Sequence, residues 1–325
     1  MTGAVQPVYF VLMPGTLLVD LAGPADAVRL ANRFQRDVRF VSAFIGPSPA
    51  VRTSVGITIS DLSALPDAVA DNAMIVVCGT ITAMDDRSAR HEVARWLQAV
   101  HRSTHRLVFI CAGALVAGEA GLLDGRQCTT HHEDCAELER LAPKARVLDN
   151  RIYVRDGQIY TSAGVTTGLD LMLTIIAEIA GPQCAVAVAR HMVVYARRTG
   201  ADPQLSPWLE GRNHLHPGLH RAQDAIAADP AHPWTASKLA SVAHTSPRHL
   251  TRLFHSYAAT SPIDYIHRLR VALARQLLTN STLDLERVAE RSGFGSSRQL
   301  RRVWNKYNSF PPSQSRADRS LSRDT

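Results

Sequence analysis

The chain has 325 residues, enough on ordinary domain sizes for two folded units, and its 46% hydrophobic content can supply a sizeable core. The opening MTGAVQPVYF has no basic stretch ahead of an apolar run, and the apolar segment 169–179 is short and interrupted by charge, so a soluble cytoplasmic protein without a membrane span is expected. The formal charge of +7 lies at one end: residues 1–200 hold 19 Lys+Arg and 19 Asp+Glu, whereas residues 201–325 hold 17 and 10, which fits either a nucleic-acid-binding segment beside a neutral one or a merely basic surface.

From the N-terminus, short apolar runs at residues 8–13, 38–43, 74–78 and 107–111 alternate with helix-period segments. This alternation predicts an α/β fold, a mostly parallel sheet flanked by helices on both faces. Ligands in such folds bind beyond the carboxyl ends of the strands. That rule selects Pro14-Gly15, Cys78-Gly79-Thr80 and Cys111-Ala112-Gly113-Ala114. The last is the most informative. LVFI runs directly into Cys111 and small residues then open a helix, the outline of a nucleophile elbow. The helix N-terminus is expected to lower the thiol pKa. A small core residue at a strand end would give the same pattern. The cysteines, Cys78, Cys111, Cys128, Cys135 and Cys184, are scattered without CxxC pairs and predict thiols rather than disulfides. His131 and His132, in the run TTHH, read mainly as structural or pocket-lining groups.

Residues 197–217, with Gly, Pro and polar residues, are expected to connect two domains. His214, His216 and His220 cluster there without Cys or carboxylate partners at ligand spacing, so no metal and no other cofactor is expected. Beyond them a pattern occurs twice. Leu250, Leu253, Phe254 and Tyr257 precede Pro262, and fifty residues later Leu300, Val303, Trp304 and Tyr307 precede Pro312. Each set occupies one face of a helix. Shorter helices with small residues precede both, at Leu239-Ala240 with Ala243 and at Val288-Ala289 with Ser292; Gly293 and Gly295 permit the sharp second turn. All-α, with two helix-turn-helix units, is the expected architecture. The opposite faces carry Arg248, His249, Arg252 and His255, then Arg298, Gln299, Arg301, Arg302, Asn305 and Lys306. Arg and Gln suit base edges in the major groove and Lys suits phosphate. Solvated faces of an ordinary bundle are the alternative, and two copies in register on the basic segment weigh against it. A third helix opening at Pro262, with the stripe Tyr265, Ile266, Leu269, Leu273 and Leu277, would space the readers about 34 Å apart, one DNA turn.

The runs SPRHLTRLFHSYAATSPIDYIHRLRVALARQLL and VAERSGFGSSRQLRRVW resemble the AraC-type DNA-binding domain. At the end, Ser309-Phe310-Pro311-Pro312 and Ser315 depart from that family, which has Gly before the last Ser-Pro and an aromatic residue after it. In the first half, DLAGPADAVRLAN, ICAGALVAGEAGLLDGRQCTTHH and TSAGVTTGLDLMLTIIAE resemble the PfpI-like superfamily of class I glutamine amidotransferase-type folds, in the GlxA-type branch fused to AraC-type domains. The resemblance implies a cysteine on the elbow working with an aspartate in the first strand-to-helix segment, as in isocyanide hydratases; Cys111 and Asp20 match them, and Gly79 matches a pocket-lining backbone position. Ala112 stands where the hydratases have a hydroxyl residue and peptidase-like members a histidine, so a peptidase mechanism is poorly supported.

The domains expected are residues 5–196 as sensor, 197–217 as linker, 218–316 as DNA-binding domain and 317–325 as a disordered tail. The expected function is a DNA-binding transcription regulator, controlled by an effector at Asp20, Gly79, Cys111, Ala112 and His131. Double-stranded DNA, a small nitrogenous metabolite, a second copy of the chain and RNA polymerase are the candidate partners. The rival reading is a thiol-dependent hydratase or hydrolase using Cys111 and Asp20.

Overall fold

A computed structural model describes residues 3–81, 87–194, 198, 200, 204, 208, 210–212, 214–308 and 310–314. The chain divides after Gln204 into two compact units. The first runs β1 (Ala4–Val11), α1 (Leu18–Phe34), β2 (Val38–Gly46), β3 (Val51–Arg52), β4 (Thr58–Ile59), β5 (Ser63–Ala64), β6 (Met74–Val77), α2 (Arg87–Val100), β7 (Arg106–Ile110) and α3 (Gly113–Glu119). It continues through β8 (Gln127–Cys128), α4 (Cys135–Leu141), β9 (Arg146–Val147), β10 (Tyr153–Asp156), β11 (Ile159–Ser162), α5 (Thr167–Ala180) and α6 (Pro182–His191).

Seven strands form one sheet in the order β10-β11-β7-β6-β1-β2-β5, parallel except for β10. The central strands are apolar without interruption because both faces are covered, and their side chains divide with period two. Phe10, Val76, Val108 and Ile110 face a core with Leu171, Ile175 and Val188. Val11, Ile75, Val77, Leu107 and Phe109 face a second core with Val93, Leu97 and Leu115. The four strands expected from sequence are present, with β1 beginning at Ala4 rather than residue 8. β2 lies on one side of β1 and β6 on the other, so the order of winding reverses between β1 and β6. The crevice beyond their carboxyl ends is where open α/β sheets take ligands.

The second unit contains α7 (Pro217–Ala228), α8 (Ala236–Val242), α9 (Pro247–Ala258), α10 (Pro262–Asn280), α11 (Leu285–Arg291) and α12 (Ser297–Tyr307). His216, Thr235, Ser246, Ser261, Asp284 and Ser296 each accept a hydrogen bond from a backbone N–H in the first turn of the helix that follows. Side-chain caps of this kind contribute about 1 kcal/mol each. Proline at the first position of α7, α9 and α10 pre-sets the helical φ.

The stripe expected along α10 is half right. Tyr265, Ile266 and Leu269 are buried with α7, α8 and α9 residues such as Leu219, Leu239 and Phe254. Further along, Val271, Ala274 and Leu278 are the buried positions, among Val288, Leu300 and Trp304, while Leu273 and Leu277 are only partly buried. At about 100° per residue these sets lie on nearly opposite sides of the helix. Thus α10 is the shared wall of two small cores, one for each helix-turn-helix unit.

No helix among the described residues is long and apolar enough to cross a membrane. The expected tail, 317–325, lies outside the described residues, as does much of 197–217.

Candidate functional site

The elbow forms where β7 ends. Cys111 has φ +54°, left-handed backbone that L-residues adopt at a cost of about 1–2 kcal/mol. Its N–H donates to the Ser162 carbonyl at 2.9 Å, and its own carbonyl accepts from Thr130 Oγ1 at 2.9 Å. Two glycines make room for it. A Cβ on Gly164 would stand 2.2 Å from Cys111 Cβ, and one on Gly79 would stand 2.6 Å from the same atom and 2.7 Å from Asp20 Oδ2. No larger residue fits at either position without displacing the cysteine.

Asp20, in the first turn of α1, is fully buried beside this thiol. Its Oδ1 accepts a 2.6 Å hydrogen bond from the N–H of Val165, another residue of positive φ (+52°). Oδ2, turned toward Gly79 and Cys111, has no fully formed hydrogen bond among the described residues. Burial raises the Asp20 pKa to about 7, against the opposing effect of the Val165 and Gly79 backbone N–H groups. Burial also pushes the Cys111 thiol well above its ordinary range, and the Asp20 carboxylate adds to the effect. The expectation of a lowered thiol pKa is therefore overturned. The seven-residue α3 offers too little to offset desolvation and a neighbouring negative charge.

The remaining expected site residues divide. Ala112 caps α3 and packs with the core on the α2 side of the sheet, while Cys111 packs with the core on the α1 side. In the TTHH run it is Thr130 that touches Cys111. The His131 ring lies against His132, centroids 4.2 Å apart, and burial lowers its pKa. Thr130, Gly164 and Val165 were not singled out from sequence. The signal available for the last two was the small-residue run AGVTT immediately after the buried IYTS. Among the described residues no cluster of His, Cys, Asp or Glu is arranged to hold a metal. His214, His216 and His220 instead order the start of α7, with His216 Nδ1 accepting from Leu219 N at 3.2 Å and the His214 and His220 rings stacked at 4.2 Å.

In the second unit, α9 and α12 are the second helices of the two helix-turn-helix units. Arg248 and Arg252 on α9 and Arg298, Arg301, Arg302 and Asn305 on α12 are all exposed. His249 is half-buried, and its ring nitrogen Nδ1 lies 2.8 Å from Arg252 Nη2. Gln299 is partly committed to the turn, since its Oε1 accepts from the Gly295 N–H at 2.8 Å. Lys306 is held by Asp264 of α10, at 2.5 Å, and Tyr307 donates to the same carboxylate. The Lys306 hydrogen bond is the chief reason the Asp264 pKa falls to about 2. Gly293, φ +81°, lets the second turn approach Ala231 so closely that a Cβ would meet its Cα at 2.6 Å. Phe310 supplies an aromatic partner for Trp304 near the end of the domain: its carbonyl accepts from the indole N–H at 2.7 Å and its ring meets the indole edge-on.

Residues 6–178 match the model of the DJ-1/PfpI family, and residues 239–318 match a helix-turn-helix domain model. Among curated proteins, the chain is 30% identical to the HTH-type transcriptional regulator GbdR of Pseudomonas aeruginosa, over 97% of this chain and 85% of the relative. It is 29% identical to the HTH-type transcriptional regulator GlxA of Rhizobium meliloti, over 95% of this chain and 94% of that one. The first unit is also similar to an isonitrile hydratase of Pseudomonas putida, 29% identical over 55% of this chain and 74% of the enzyme. With a DJ-1/PfpI unit, an AraC-type helix-turn-helix unit and relatives that span nearly its whole length, the chain belongs to the GlxA-type family of HTH transcriptional regulators.

Proposed function

We propose that this DNA-binding transcription regulator is controlled by a small molecule bound at the crevice beside Asp20, Gly79 and Cys111. The observation that carries the reading is Asp20 itself: a fully buried carboxyl whose second oxygen, turned toward the elbow, lacks a fully formed hydrogen bond. A buried carboxylate oxygen short of a full hydrogen bond is destabilising, and a ligand donor placed there would complete it. The site also lies at the reversal of strand order, next to two residues in strained backbone. The effector class suggested by resemblance is small nitrogenous metabolites. A homodimer would present paired readers to repeated half-sites, with RNA polymerase as a further partner.

A second reading, a thiol-dependent hydratase, is favoured by the isonitrile hydratase relative and by a carboxyl that can exchange a proton near pH 7. The raised Cys111 pKa and the alanine after it argue for binding rather than turnover. The test pairs a DNA-binding titration with an activity screen on isocyanides, glyoxals and peptides, using the same preparations. A panel of amino acids and betaines should shift DNA binding of the native protein, and Asp20→Asn and Cys111→Ala should change that shift in proteins that still bind DNA. Cys111-dependent turnover at ordinary enzymatic rates would overturn the proposal.

A further inference from the structure

The chain leaves the first unit through residues that grip the neighbours of the elbow. Arg198 donates from Nε to Asp170 Oδ2 at 2.9 Å and from its backbone N–H to Asp170 Oδ1 at 3.2 Å. Its Nη2 lies 2.6 Å from Asp170 Oδ2 and donates to Thr166 Oγ1 at 2.7 Å. The Asp170 side chain is only 6% exposed, so this is a shielded, multiply bonded ion pair rather than a loose surface contact. Thr166 adjoins Val165, whose N–H holds Asp20. Six residues beyond Arg198, Gln204 reaches the other side of the elbow. Its Nε2 donates to the Thr130 carbonyl at 2.7 Å and to the Arg151 carbonyl at 3.1 Å, and its backbone N–H donates to Asn150 Oδ1 at 2.9 Å. Thr130 in turn donates to Cys111. Between the two anchors, Gly200 passes so near β10 that a Cβ would stand 2.6 Å from the Tyr153 carbonyl.

We infer that the docking of Arg198, Gly200 and Gln204 on the first unit is coupled to the Asp20–Cys111 site and tethers the chain there, with Arg198 and Gln204 as the positioning residues. The inference rests on the reading of that site as the effector site and supplies its output. One arm runs Asp20, Val165, Thr166, Arg198; the other runs Cys111, Thr130, Gln204. Each link is one residue or one hydrogen bond. A ligand that takes up Asp20 Oδ2, or moves Cys111, shifts Val165 and Thr166 on one arm and Thr130 on the other, the residues next to or held by the two anchors. Gln204 is the last residue of the first unit, so release or tightening there changes the freedom of the chain at the residue from which the DNA-binding unit hangs. Linkage is reciprocal, so loosening the tether must also loosen the site.

That reciprocity gives a test that needs no effector. Amide hydrogen exchange is measured on the full chain for the native protein, Arg198→Lys and Gln204→Ala, along with the alkylation rate of Cys111 by iodoacetamide. Arg198→Lys keeps the charge and loses the forked geometry, which protects folding. The expected result is about tenfold faster exchange at Val165 in Arg198→Lys and around Thr130 in Gln204→Ala, the effect of losing one charge-assisted or buried hydrogen bond. Cys111 alkylation should rise by a similar factor, with exchange in β2 and α2 unchanged. The converse variant, Asp20→Asn, should speed exchange at Arg198, Gly200 and Gln204. Faster exchange confined to Arg198, Gly200 and Gln204, with Val165, Thr130 and Cys111 unmoved, would overturn the coupling and leave the effector reading standing. Coupling of the expected size in a protein whose DNA binding ignores every small molecule would remove the effector reading alone.

Discussion

Asp20 makes the stability of the first unit depend on pH in a direction unusual for a carboxylate. Burial holds its pKa near 7, above the 3.8 of an exposed aspartate. Below about pH 4 the group is protonated in folded and unfolded chains alike. Between about pH 4 and 7 the unfolded chain loses the proton while the folded chain keeps it, so stability falls as pH rises, by on the order of 4 kcal/mol in all. Above about pH 7 the loss is complete. Asp20→Asn should remove this decline. Urea unfolding of the first unit, followed through Trp96, should give curves for native protein and variant that diverge steadily from pH 4 to 7; parallel curves would show that Asp20 is solvated. The same residue shows what sequence could and could not reveal. The elbow was legible because LVFI-Cys-Ala-Gly-Ala carries its own local logic, a buried strand run into small residues. The environment of the thiol was not, because it is made by residues 91 positions earlier and more than 50 later that meet only through the sheet.

Among the elements, the central strands and the capped helices were readable in advance for opposite reasons. MIVV and RLVFI are apolar on both faces because they are covered on both. α9 and α10 announce themselves by Ser-Pro, a cap followed by a residue fixed in helical φ. β11, IYTS, was missed because its polar residues are buried by pairing and contact rather than by hydrophobicity: Thr161 Oγ1 accepts from Thr129 N at 2.8 Å. The stripe on α10 was misplaced because one period was assumed where two faces are used. On α12, Arg298, Arg301, Arg302, Asn305 and Lys306 are all exposed, and Lys306 is in addition paired with Asp264; the first four are the residues proposed to face DNA. Arg298→Ala or Arg302→Ala should reduce discrimination between specific and random duplexes by about 1–3 kcal/mol if the residue reads a base edge. Competition binding against random DNA measures this, and an equal loss on all sequences would reassign that arginine to phosphate.

At the scale of the molecule, the two units have separate cores and separate charge. The second unit contains the buried residues of both helix-turn-helix cores and the whole excess of positive charge. A fragment comprising residues 205–325 should therefore fold and bind duplex DNA on its own, more weakly than the intact regulator if pairing of copies depends on the first unit. Its affinity should fall steeply with salt as phosphate contacts release counterions. Circular dichroism together with anisotropy titrations from low to physiological salt would check both points; a folded fragment without salt-sensitive binding would contradict the assignment of the DNA-reading surface.

The glycine that seats Cys111 also sets a schedule for the newly made chain. Gly164 follows Cys111 by 53 residues, and β11, which must pair with β7 before the elbow closes, lies just ahead of it. At roughly 5–20 residues per second, about 3–10 s pass between synthesis of the thiol and synthesis of the glycine that packs against it. During that interval the cysteine belongs to an unfinished sheet and is open to reagents that the finished fold excludes. The helical unit comes later and its contacts are local, so it completes quickly once made. Translation thus delivers the reader of DNA only after the last piece of the elbow has left the ribosome.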